Sequence, residues 1–301
     1  MITVFGSLNL DQIGTVTRLP QPGETVAGGT FSMAPGGKGA NQTLAARRAG
    51  ADVRLIGAVG EDSFAEPALA ALSEAGVDLA GVRRVPEPTG IAMILVDASG
   101  ENCIAVLPGA NGTLRPADAE ATLTTMAKGD ILLLQQEIPQ SATAKALELA
   151  REKGVIAILN TAPFLDSTPE IARRATIVVA NESEFALMCE GGSKPLESLM
   201  RDWARSRGQT IIVTLGGEGA RAATPTEFIA VPALPIEPVD TVGAGDTFCG
   251  YLAAGLDAGL DLKSAMTRAV AAASLACLSP GAQPAIPQAQ AVDAALSSGS
   301  R

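Results

Sequence analysis

The sequence predicts an α/β fold: a doubly wound, mostly parallel β-sheet flanked by helices. Short β-branched or apolar runs alternate along the chain with segments of helical pattern, the order expected for parallel strands joined by crossover helices. Two runs, 131–134 and 211–213, are apolar at every position, as in strands that are buried on both faces. The 301 residues are enough for one such domain, and we predict a single domain over 1–301.

The individual elements follow that alternation from the first residues onward. Strands are predicted at 2–7, 53–58, 130–134, 155–159, 176–179 and 210–214. Helices are predicted at 38–49, 64–75, 116–127, 141–153, 181–190, 195–207, 244–258 and 262–278. The regular exchange of strand for helix favours an open sheet, and the hairpin described next breaks the eightfold repeat that a barrel would need.

Two regions interrupt the alternation and predict a small β-sheet that forms a lid. Apolar runs at 91–96 and 103–107 flank a polar turn with Gly100 and Asn102, which is typical of a β-hairpin. Residues 12–34 hold further extended segments punctuated by proline and glycine. We therefore predict a lid built from about 12–34 and 89–108. The alternative is that these strands are antiparallel edges of the main sheet.

The composition excludes several kinds of chemistry. The chain contains no histidine, which rules out Ser-His-Asp and Cys-His catalysis and histidine metal sites. Acid–base chemistry then falls to carboxylates, Lys, Tyr or Cys. The net charge is −10 and no run of Lys or Arg exceeds two residues, so no nucleic acid partner is expected.

The cellular setting is predicted from the cysteines and the apolar runs. The four cysteines are far apart and form no Cys-x-x-Cys pair, which indicates reduced, mostly buried thiols. The first residues lack a basic signal-peptide region, and no apolar run reaches the length of a membrane span. We expect a cytoplasmic protein without a membrane partner.

A glycine-rich turn followed by an aspartate is the most informative motif. Gly243-Ala244-Gly245 precedes Asp246 at the start of a predicted helix. Such a turn aims free backbone N–H groups at one point, and the helix dipole adds positive potential there, which suits an anion. A carboxylate beside an anion site indicates a proton acceptor next to a phosphoryl group. The alternative is an ordinary turn with an aspartate near a helix start.

Other polar residues follow the ends of predicted strands, where ligands of open α/β sheets bind. They are Asn9, Asp11, Glu137, Asn160, Asn181, Glu184 and Thr214. The glycines of 36–41 allow close approach of a ligand, to which Lys38 and Asn41 can both donate hydrogen bonds; a solvated lysine is the alternative. This segment is not a Walker A loop, and the first strand does not run into the Gly-x-Gly-x-x-Gly of nicotinamide dehydrogenases.

Together these segments resemble the ribokinase-like (PfkB) carbohydrate kinases, most closely the ribokinases within that family. The matching motifs appear in family order and cover almost the whole chain. They are 6–11 (GSLNLD), 22–25 (PGET), 36–42 (GGKGANQ), 108–111 (PGAN), 181–184 (NESE), 214–216 (TLG), 240–247 (DTVGAGDT) and 281–284 (GAQP).

The resemblance implies an ATP-dependent sugar kinase and a role for each matching residue. It assigns Asp246 as the general base and gives the anion hole to Gly243, Ala244, Gly245 and Asp246. It gives the sugar to Asn9, Asp11, Gly37, Lys38, Asn41, Glu137 and Asp246, and ATP to Asn181, Thr214, Gly216, Gly219 and Gly245. It ties Glu184 to Mg²⁺, through water, and Asp240, Val242, Gly281 and Ala285 to an activating K⁺, although Ala285 stands where the family often has serine. It also implies a homodimer formed through the lid.

The expected substrate is the primary hydroxyl of a pentose, D-ribose at O5. Aromatic residues make up only 3% of the chain, and the inferred sugar site is rich in amides and carboxylates, which favours a free sugar over a nucleoside. The alternatives are 2-deoxyribose, a hexose such as fructose, a keto-deoxy sugar acid or a nucleoside, or a non-catalytic protein that binds sugar or nucleotide. The resemblance implies that the last long helix lies near the adenine, where the family can place a polar side chain. Here residues 269–273 of that helix are wholly apolar, so a strict preference for ATP is not implied.

Overall fold

A nine-stranded, mostly parallel β-sheet forms the centre of the computed structural model, which describes residues 1–189 and 194–298. The strands are β1 (Ile2–Phe5), β2 (Asn9–Val16), β3 (Gly28–Gly36), β4 (Val53–Gly60), β5 (Asp78–Val85), β6 (Ile91–Val96), β7 (Asn102–Leu107), β8 (Ile131–Leu134), β9 (Ile156–Asn160), β10 (Ile177–Asn181), β11 (Thr210–Thr214), β12 (Ala220–Ala223) and β13 (Phe228–Val231). The main sheet runs in the order β13-β12-β11-β10-β9-β8-β1-β4-β5. Within this sheet, the described pairs β11–β12 and β12–β13 are antiparallel and the others are parallel.

Helices cover both faces of this sheet. They are α1 (Lys38–Arg48), α2 (Ala65–Glu74), α3 (Pro116–Thr124), α4 (Gln140–Lys153), α5 (Thr168–Ala172), α6 (Glu182–Met188), α7 (Leu196–Arg207), α8 (Ala244–Asp257), α9 (Leu262–Ala276), α10 (Ala282–Ala285) and α11 (Ala289–Ser298). The predicted doubly wound α/β fold is confirmed. Residue 190, the last of a predicted helix, lies outside the described residues.

The sheet separates two hydrophobic cores. Leu133 packs into the core on the side of α1, α8 and α9, whereas its neighbours Leu132 and Leu134 pack into the core on the side of α3, α4 and α7. All three side chains are fully buried. Successive residues of a strand point to opposite faces, so an unbroken apolar run is what burial on both faces requires. Each such leucine contributes about 1.5–3 kcal/mol through burial.

Some elements were not predicted. The strands β5, β12 and β13 and the short helices α5, α10 and α11 are present in the structure but have weak sequence signals. The sequence of β12 is Ala-Arg-Ala-Ala, which has little intrinsic preference for a strand. It is a strand because it pairs with the buried β11 in antiparallel register, a tertiary contact that local sequence does not encode.

A separate four-stranded sheet, ordered β3-β2-β6-β7, forms the lid. Two pairs are antiparallel, and β2 pairs with β6 in parallel. The prediction of a separate lid is confirmed over the alternative of edge strands. Because only three residues separate β1 from β2, which begins at Asn9, Asn9 and Asp11 lie where the lid joins the main sheet. Single-domain organisation over 1–301 stays a prediction.

The cysteines are partly as predicted. All four thiols are free. Cys249 is fully buried, and burial raises its pKa well above the usual value. Cys103 is exposed and the other two are half-buried, so the prediction of mostly buried thiols was wrong for Cys103, which lies on the open lid. Among the described residues, no helix combines the length and hydrophobicity needed to cross a bilayer.

Candidate active site

Two cavities lie on either side of the first turn of α8. The larger, about 640 Å³, lies beneath the lid and has Gly243 and Asp246 in its wall. The smaller, about 330 Å³, lies toward α9 and has Ala244 and Gly245 in its wall. The start of α8 therefore separates two spaces, each of a size for a small ligand. We call them the lid cavity and the α9 cavity.

The lid cavity collects every residue that was predicted to bind the sugar. Its polar wall contains the predicted Asn9, Asp11, Lys38, Asn41, Glu137 and Asp246, with the backbone of Gly37, and also Gln136, which was not predicted. These side chains come from β2, α1, α8 and the loop after β8. The sequence did not identify its apolar wall, which is formed by the lid residues Ala92, Ile94, Ile104 and Val106. These residues share one face of the lid, according to the strand register.

Asp246 is held in place by two amide side chains. Asn41 Nδ2 donates to Asp246 Oδ2 at 2.9 Å, and Gln42 Nε2 donates to Oδ1 at 2.9 Å. The aspartate is only 6% exposed. Each carboxylate oxygen therefore has one fixed donor and keeps lone pairs available to accept a further proton. Because consecutive residues of α1 supply both donors, the Asn-Gln pair at its start sets the direction of the carboxylate.

Glu137 and Lys38 are fixed at the same edge. Glu137 Oε2 accepts hydrogen bonds from Ser7 Oγ at 2.6 Å and from the backbone N–H of Lys38 at 3.0 Å. The nearby Asp246 carboxylate, opposed by burial, raises the pKa of Lys38 above its usual 10.5. The ammonium group therefore stays charged at neutral pH and adds positive potential to a site rich in carboxylates.

Asn9 is oriented by a residue for which the sequence suggested no role. Asn111 Nδ2 donates to Asn9 Oδ1 at 2.8 Å and to the carbonyl of Leu8 at 3.0 Å, while Asn111 Oδ1 accepts from the Leu8 N–H at 2.9 Å. Both asparagines are buried. The Pro-Gly-Ala-Asn motif at 108–111 thus connects the end of the lid to the residues that follow the first strand. The asparagine of this motif was the sequence signal from which its role could have been predicted.

Asp11 is a buried carboxyl group whose pKa is strongly raised. Burial, with the neighbouring carboxylates of Glu137 and Asp246, raises the pKa of Asp11 to about 7. Its Oδ1 atom is buried and has no hydrogen-bond partner within the described part of the chain. An unpaired buried carboxyl oxygen costs stability, and a ligand hydroxyl in the cavity would supply the missing partner.

The first turn of α8 has the geometry of an anion site. Gly243 has a φ of 77°, in the left-handed region, and a Cβ atom there would lie 2.9 Å from Ala282. The N–H groups of Gly245 and Asp246 have no acceptor among residues 1–189 and 194–298. The N–H of Ala244 bonds to the Thr241 carbonyl at 3.3 Å. The unpaired donors of this turn thus belong to Gly245 and Asp246.

The α9 cavity is lined by backbone and small or apolar side chains. Thr214, Gly216, Gly219 and Gly245, which were predicted to bind the nucleotide, are part of its wall. The sequence did not identify Leu234, Ile236, Phe248, Val270 and Cys277, which complete much of it. The hydroxyl of Ser274 donates to the Val270 carbonyl at 2.9 Å, so this side chain has already used its donor. Recognition here rests on shape and backbone groups.

Asn181 and Glu184 lie at the start of α6, and neither lines the two cavities. Asn181 Oδ1 accepts from the Glu184 N–H at 2.8 Å, and Glu184 Oε2 accepts from the Asn181 N–H at 3.1 Å. This is a capping box, which a structural role alone would explain. Thr161 Oγ1 also donates to Glu184 Oε2 at 2.7 Å. The other carboxylate oxygen has no hydrogen-bond partner among the described residues and would be available to a hydrated cation such as Mg²⁺, which prefers carboxylates and retains waters.

The residues predicted to hold K⁺ lie close together. Asp240 Oδ1 accepts from the Val242 N–H at 3.0 Å, and Oδ2 accepts from the Gly281 N–H at 2.8 Å. Asp240 thereby ties the loop before α8 to the loop before α10. Ala285 is buried in α10 and has no side-chain oxygen, so a cation here would depend on carbonyl groups. Among the described residues, no cluster of three Cys, Asp or Glu side chains forms a metal site.

Comparison with known proteins agrees with this geometry. The model of the pfkB family carbohydrate kinases matches residues 1–289. The chain belongs to the PfkB family of carbohydrate kinases. It is 35% identical to the ribokinase of Bacillus subtilis, over 98% of this chain and 99% of that protein. The structure of Arabidopsis thaliana ribokinase complexed with ribose and ATP superimposes with a TM-score of 0.88 at 31% identity, covering 98% of both chains.

A longer relative has the same domain as part of a larger protein. The bifunctional ribokinase/ribose-5-phosphate isomerase A of Fructilactobacillus sanfranciscensis is 37% identical over 97% of this chain, which spans 55% of that protein. Membership of the PfkB family confirms the predicted resemblance and the predicted class of enzyme, an ATP-dependent carbohydrate kinase.

Proposed function

We propose that this PfkB kinase transfers the γ-phosphoryl group of ATP to O5 of D-ribose. The observation that carries the proposal is the position of Asp246, in the wall of the lid cavity and one residue after Gly245, which lines the α9 cavity. A sugar hydroxyl in the first space and a phosphate from the second would meet at this residue. The ribokinases among the relatives support ribose as the sugar.

The residues of the site divide the work of phosphoryl transfer. Asp246, held by Asn41 and Gln42, takes the proton from the attacking hydroxyl. The free N–H groups of Gly245 and Asp246, at the positive end of α8, stabilise the charge that develops on the transferred group. The Lys38 ammonium adds positive charge from the lid cavity. Positioning and charge neutralisation are what this reaction chiefly needs.

A free pentose fits the lid cavity better than a nucleoside. The cavity is lined by several amide and carboxylate side chains, and the lid contributes aliphatic rather than aromatic side chains. Hydroxyl-rich ligands need hydrogen-bonding partners, whereas a nucleobase would favour a stacking surface. The other candidates are 2-deoxyribose, fructose or another hexose, a keto-deoxy sugar acid and a nucleoside.

An assay of ADP release over these substrates tests the proposal. D-Ribose is expected to give the highest kcat/KM among ribose, 2-deoxyribose, fructose, keto-deoxygluconate and adenosine, with the phosphate on the primary hydroxyl of the product. A clear preference for any of the other four would replace ribose as the substrate, and failure of all five to release ADP would contradict a sugar kinase of this range.

We propose Mg²⁺ as the cation bound with ATP, held through water by the free oxygen of Glu184. The cation would neutralise charge on the phosphates. The change Glu184→Gln is expected to raise the Mg²⁺ concentration needed for half-maximal rate, and exposed Glu182→Gln, two residues earlier, serves as the matched control. An unchanged Mg²⁺ titration in the Glu184 variant would contradict this role.

We further propose that K⁺ activates the enzyme by occupying the loops that Asp240 joins. Those loops flank the start of α8, so ordering them would stabilise the anion site. Because Ala285 offers no hydroxyl, binding should be weak, and activity should rise with K⁺ without saturating at low concentration. Equal rates in K⁺ and in a large organic cation would contradict the proposal.

A homodimer through the lid is the proposed assembly. The lid face that points away from the cavity carries exposed apolar side chains, namely Phe31, Met33, Met93 and Leu107, and the strand register places them on one face. Exposed apolar patches of this kind mark interaction sites. Light scattering should report a dimer that Met93→Lys disrupts and that Leu187→Glu, at an exposed leucine of α6, leaves intact. A monomeric wild-type protein would refute this assembly.

We place the enzyme in the cytoplasm. The four free thiols support a reducing compartment, and ATP as donor requires access to the cellular nucleotide pool. Fractionation of the producing cells should recover the kinase activity with cytoplasmic markers.

A further inference from the structure

We infer that Gln42 is a positioning residue for Asp246, and that Gln135 fixes the direction in which the Gln42 amide points. The inference rests on the kinase function and adds a buried relay behind the base. Gln42 is fully buried, and Gln135 is 1% exposed. Neither side chain lines the lid cavity or the α9 cavity, so neither is placed to touch sugar or nucleotide.

The contact between Gln42 and the base is direct and has a defined polarity. Gln42 Nε2 lies 2.9 Å from Asp246 Oδ1. An amide has a donor end and an acceptor end. If it were reversed, the Gln42 carbonyl oxygen would face the carboxylate oxygen, and an attraction would become a repulsion. The sign of the contact therefore depends on what holds the amide in its observed direction.

Two further side chains hold that direction. Gln135 Nε2 donates to Gln42 Oε1 at 2.7 Å, which engages the acceptor end. Asn160 Oδ1 accepts from Gln42 Nε2 at 3.2 Å, and Asn160 Nδ2 donates to the backbone carbonyl of Val179 at 3.3 Å. That carbonyl can only accept, so it sets the direction of Asn160 and, through it, of Gln42.

A glycine leaves room for this relay. A Cβ atom on Gly6 would lie 2.1 Å from Gln135 Oε1 and 2.9 Å from the backbone of Gly39. Any side chain at position 6 would push Gln135 away from Gln42. Gly6, which directly follows β1, and Gln42, which follows Asn41 in α1, are thus two parts of one arrangement that serves the carboxylate of Asp246.

The arrangement predicts an effect on kcat rather than on sugar KM. A hydrogen bond to a charged group in a buried site is worth enough to change a rate about 10- to 100-fold. Gln42→Met keeps a similar volume and removes the donor, so kcat should fall about 10- to 100-fold, while KM for ribose stays within about threefold. Gln135→Met removes one of the two side chains that hold the Gln42 amide and leaves Asn160 as the other, so kcat should fall less, about three- to tenfold.

The double variant decides whether the two residues act in series. If Gln135 acts only through Gln42, Gln42→Met with Gln135→Met should be no slower than Gln42→Met alone, within about twofold. Residues that act independently would show multiplied losses. Rates that multiply, a loss confined to KM, or a normal kcat in Gln42→Met would each overturn the inference.

Two measurements keep the test decisive. The thermal midpoint of each variant separates lost packing from lost positioning. Lost packing alone would lower the thermal midpoint without reducing kcat in the way described above. If Gln42→Met does not fold, Gln135→Met alone must still show reduced kcat at normal KM, and an unchanged kcat there contradicts the relay. Wild-type protein that lacks sugar kinase activity would contradict the proposed function instead, so the two failures are distinguishable.

Discussion

The lid cavity and the α9 cavity meet at one turn of helix but recognise their ligands by different means. The lid cavity presents three amides, three carboxylates and an ammonium group from elements far apart in sequence. The α9 cavity presents mainly glycines, backbone groups and apolar side chains, with the hydroxyl groups of Thr214, Thr241 and Ser274. The first is built from side-chain atoms that are themselves held by buried partners such as Asn111 and Gln42. The second is built mainly from the course of the chain.

The difference predicts different sensitivities to substitution. Where side-chain atoms select a ligand, one altered atom leaves a buried group without a partner, and the cost is large. Where shape and backbone select it, many side chains can change without effect, and only an intrusion into the space or a distortion of the backbone is harmful. The four predictions below test this contrast, beginning with the largest effect.

Removing the base should have the largest effect. Asp246→Asn keeps the volume and one hydrogen-bond acceptor but cannot take a proton, so kcat is expected to fall about 10²- to 10⁴-fold. Ribose should still bind, as measured by calorimetry, because Asn9, Asp11 and Lys38 remain. The exposed Asp52→Asn is the control. Near-normal turnover by the Asp246 variant would show that the carboxylate is not the base.

The second prediction separates stability from binding at Asp11. Its raised pKa means that stability is fully present below the unfolded value of 3.8 and is lost as the pH rises through about 7. The interval corresponds to at most about 4 kcal/mol. Asp11→Asn should therefore gain little stability at pH 4 and up to about 4 kcal/mol at pH 8, relative to wild type.

Urea unfolding across that pH range gives the free energies, and the same variant should bind ribose more weakly at every pH. A difference in stability that does not change between pH 4 and pH 8 would contradict the assignment. It would mean that ionisation of Asp11 in the lid cavity does not lower the free energy of unfolding.

The third prediction tests intrusion into the α9 cavity. A Cβ atom on Gly245 would meet no protein atom within 4 Å, whereas one on Gly250 would lie 2.5 Å from Ala45. Gly245→Ala should therefore keep its thermal midpoint and raise KM for ATP about tenfold, because the methyl group occupies space meant for phosphate. Gly250→Ala, on the same helix, should lose stability instead. A normal KM for ATP in Gly245→Ala would indicate that the phosphates do not bind at Gly245.

The smallest effect should appear in the choice of nucleotide. The described wall of the α9 cavity is mostly apolar, and the Ser274 hydroxyl already donates to the Val270 carbonyl. We expect kcat/KM for ATP to exceed that for GTP or ITP by less than about tenfold, with CTP poorer because a smaller base fills less of the space. A much stronger preference for ATP would mean that backbone groups read adenine specifically.

The same contrast explains how much the sequence revealed. Period and composition predicted the parallel strands because residues such as Leu132 and Leu133 must be apolar to be buried on opposite faces. Local motifs predicted Asp246 and Lys38 because glycine-rich turns at helix starts have a local cause. Most of the polar residues that line the lid cavity could therefore be predicted individually from local sequence.

What the sequence did not reveal depends on contacts between distant segments. The partner of Gln42 is Gln135, 93 residues away, and the partner of Asn9 is Asn111, 102 residues away. Each is an unremarkable amide until the fold brings it to its partner. The apolar wall of the α9 cavity and the strand β12 were missed for the same reason, since their residues are ordinary in sequence and acquire a role only through tertiary packing.

A crystal structure with D-ribose and a non-hydrolysable ATP analogue would test the central claim most directly. We expect the sugar in the lid cavity with O5 within about 3.2 Å of an Asp246 carboxylate oxygen. We expect the γ-phosphate at the N–H groups of Gly245 and Asp246, with the adenine of the nucleotide in the α9 cavity. A sugar whose hydroxyls all lie away from Asp246, or a γ-phosphate bound away from the first turn of α8, would contradict it.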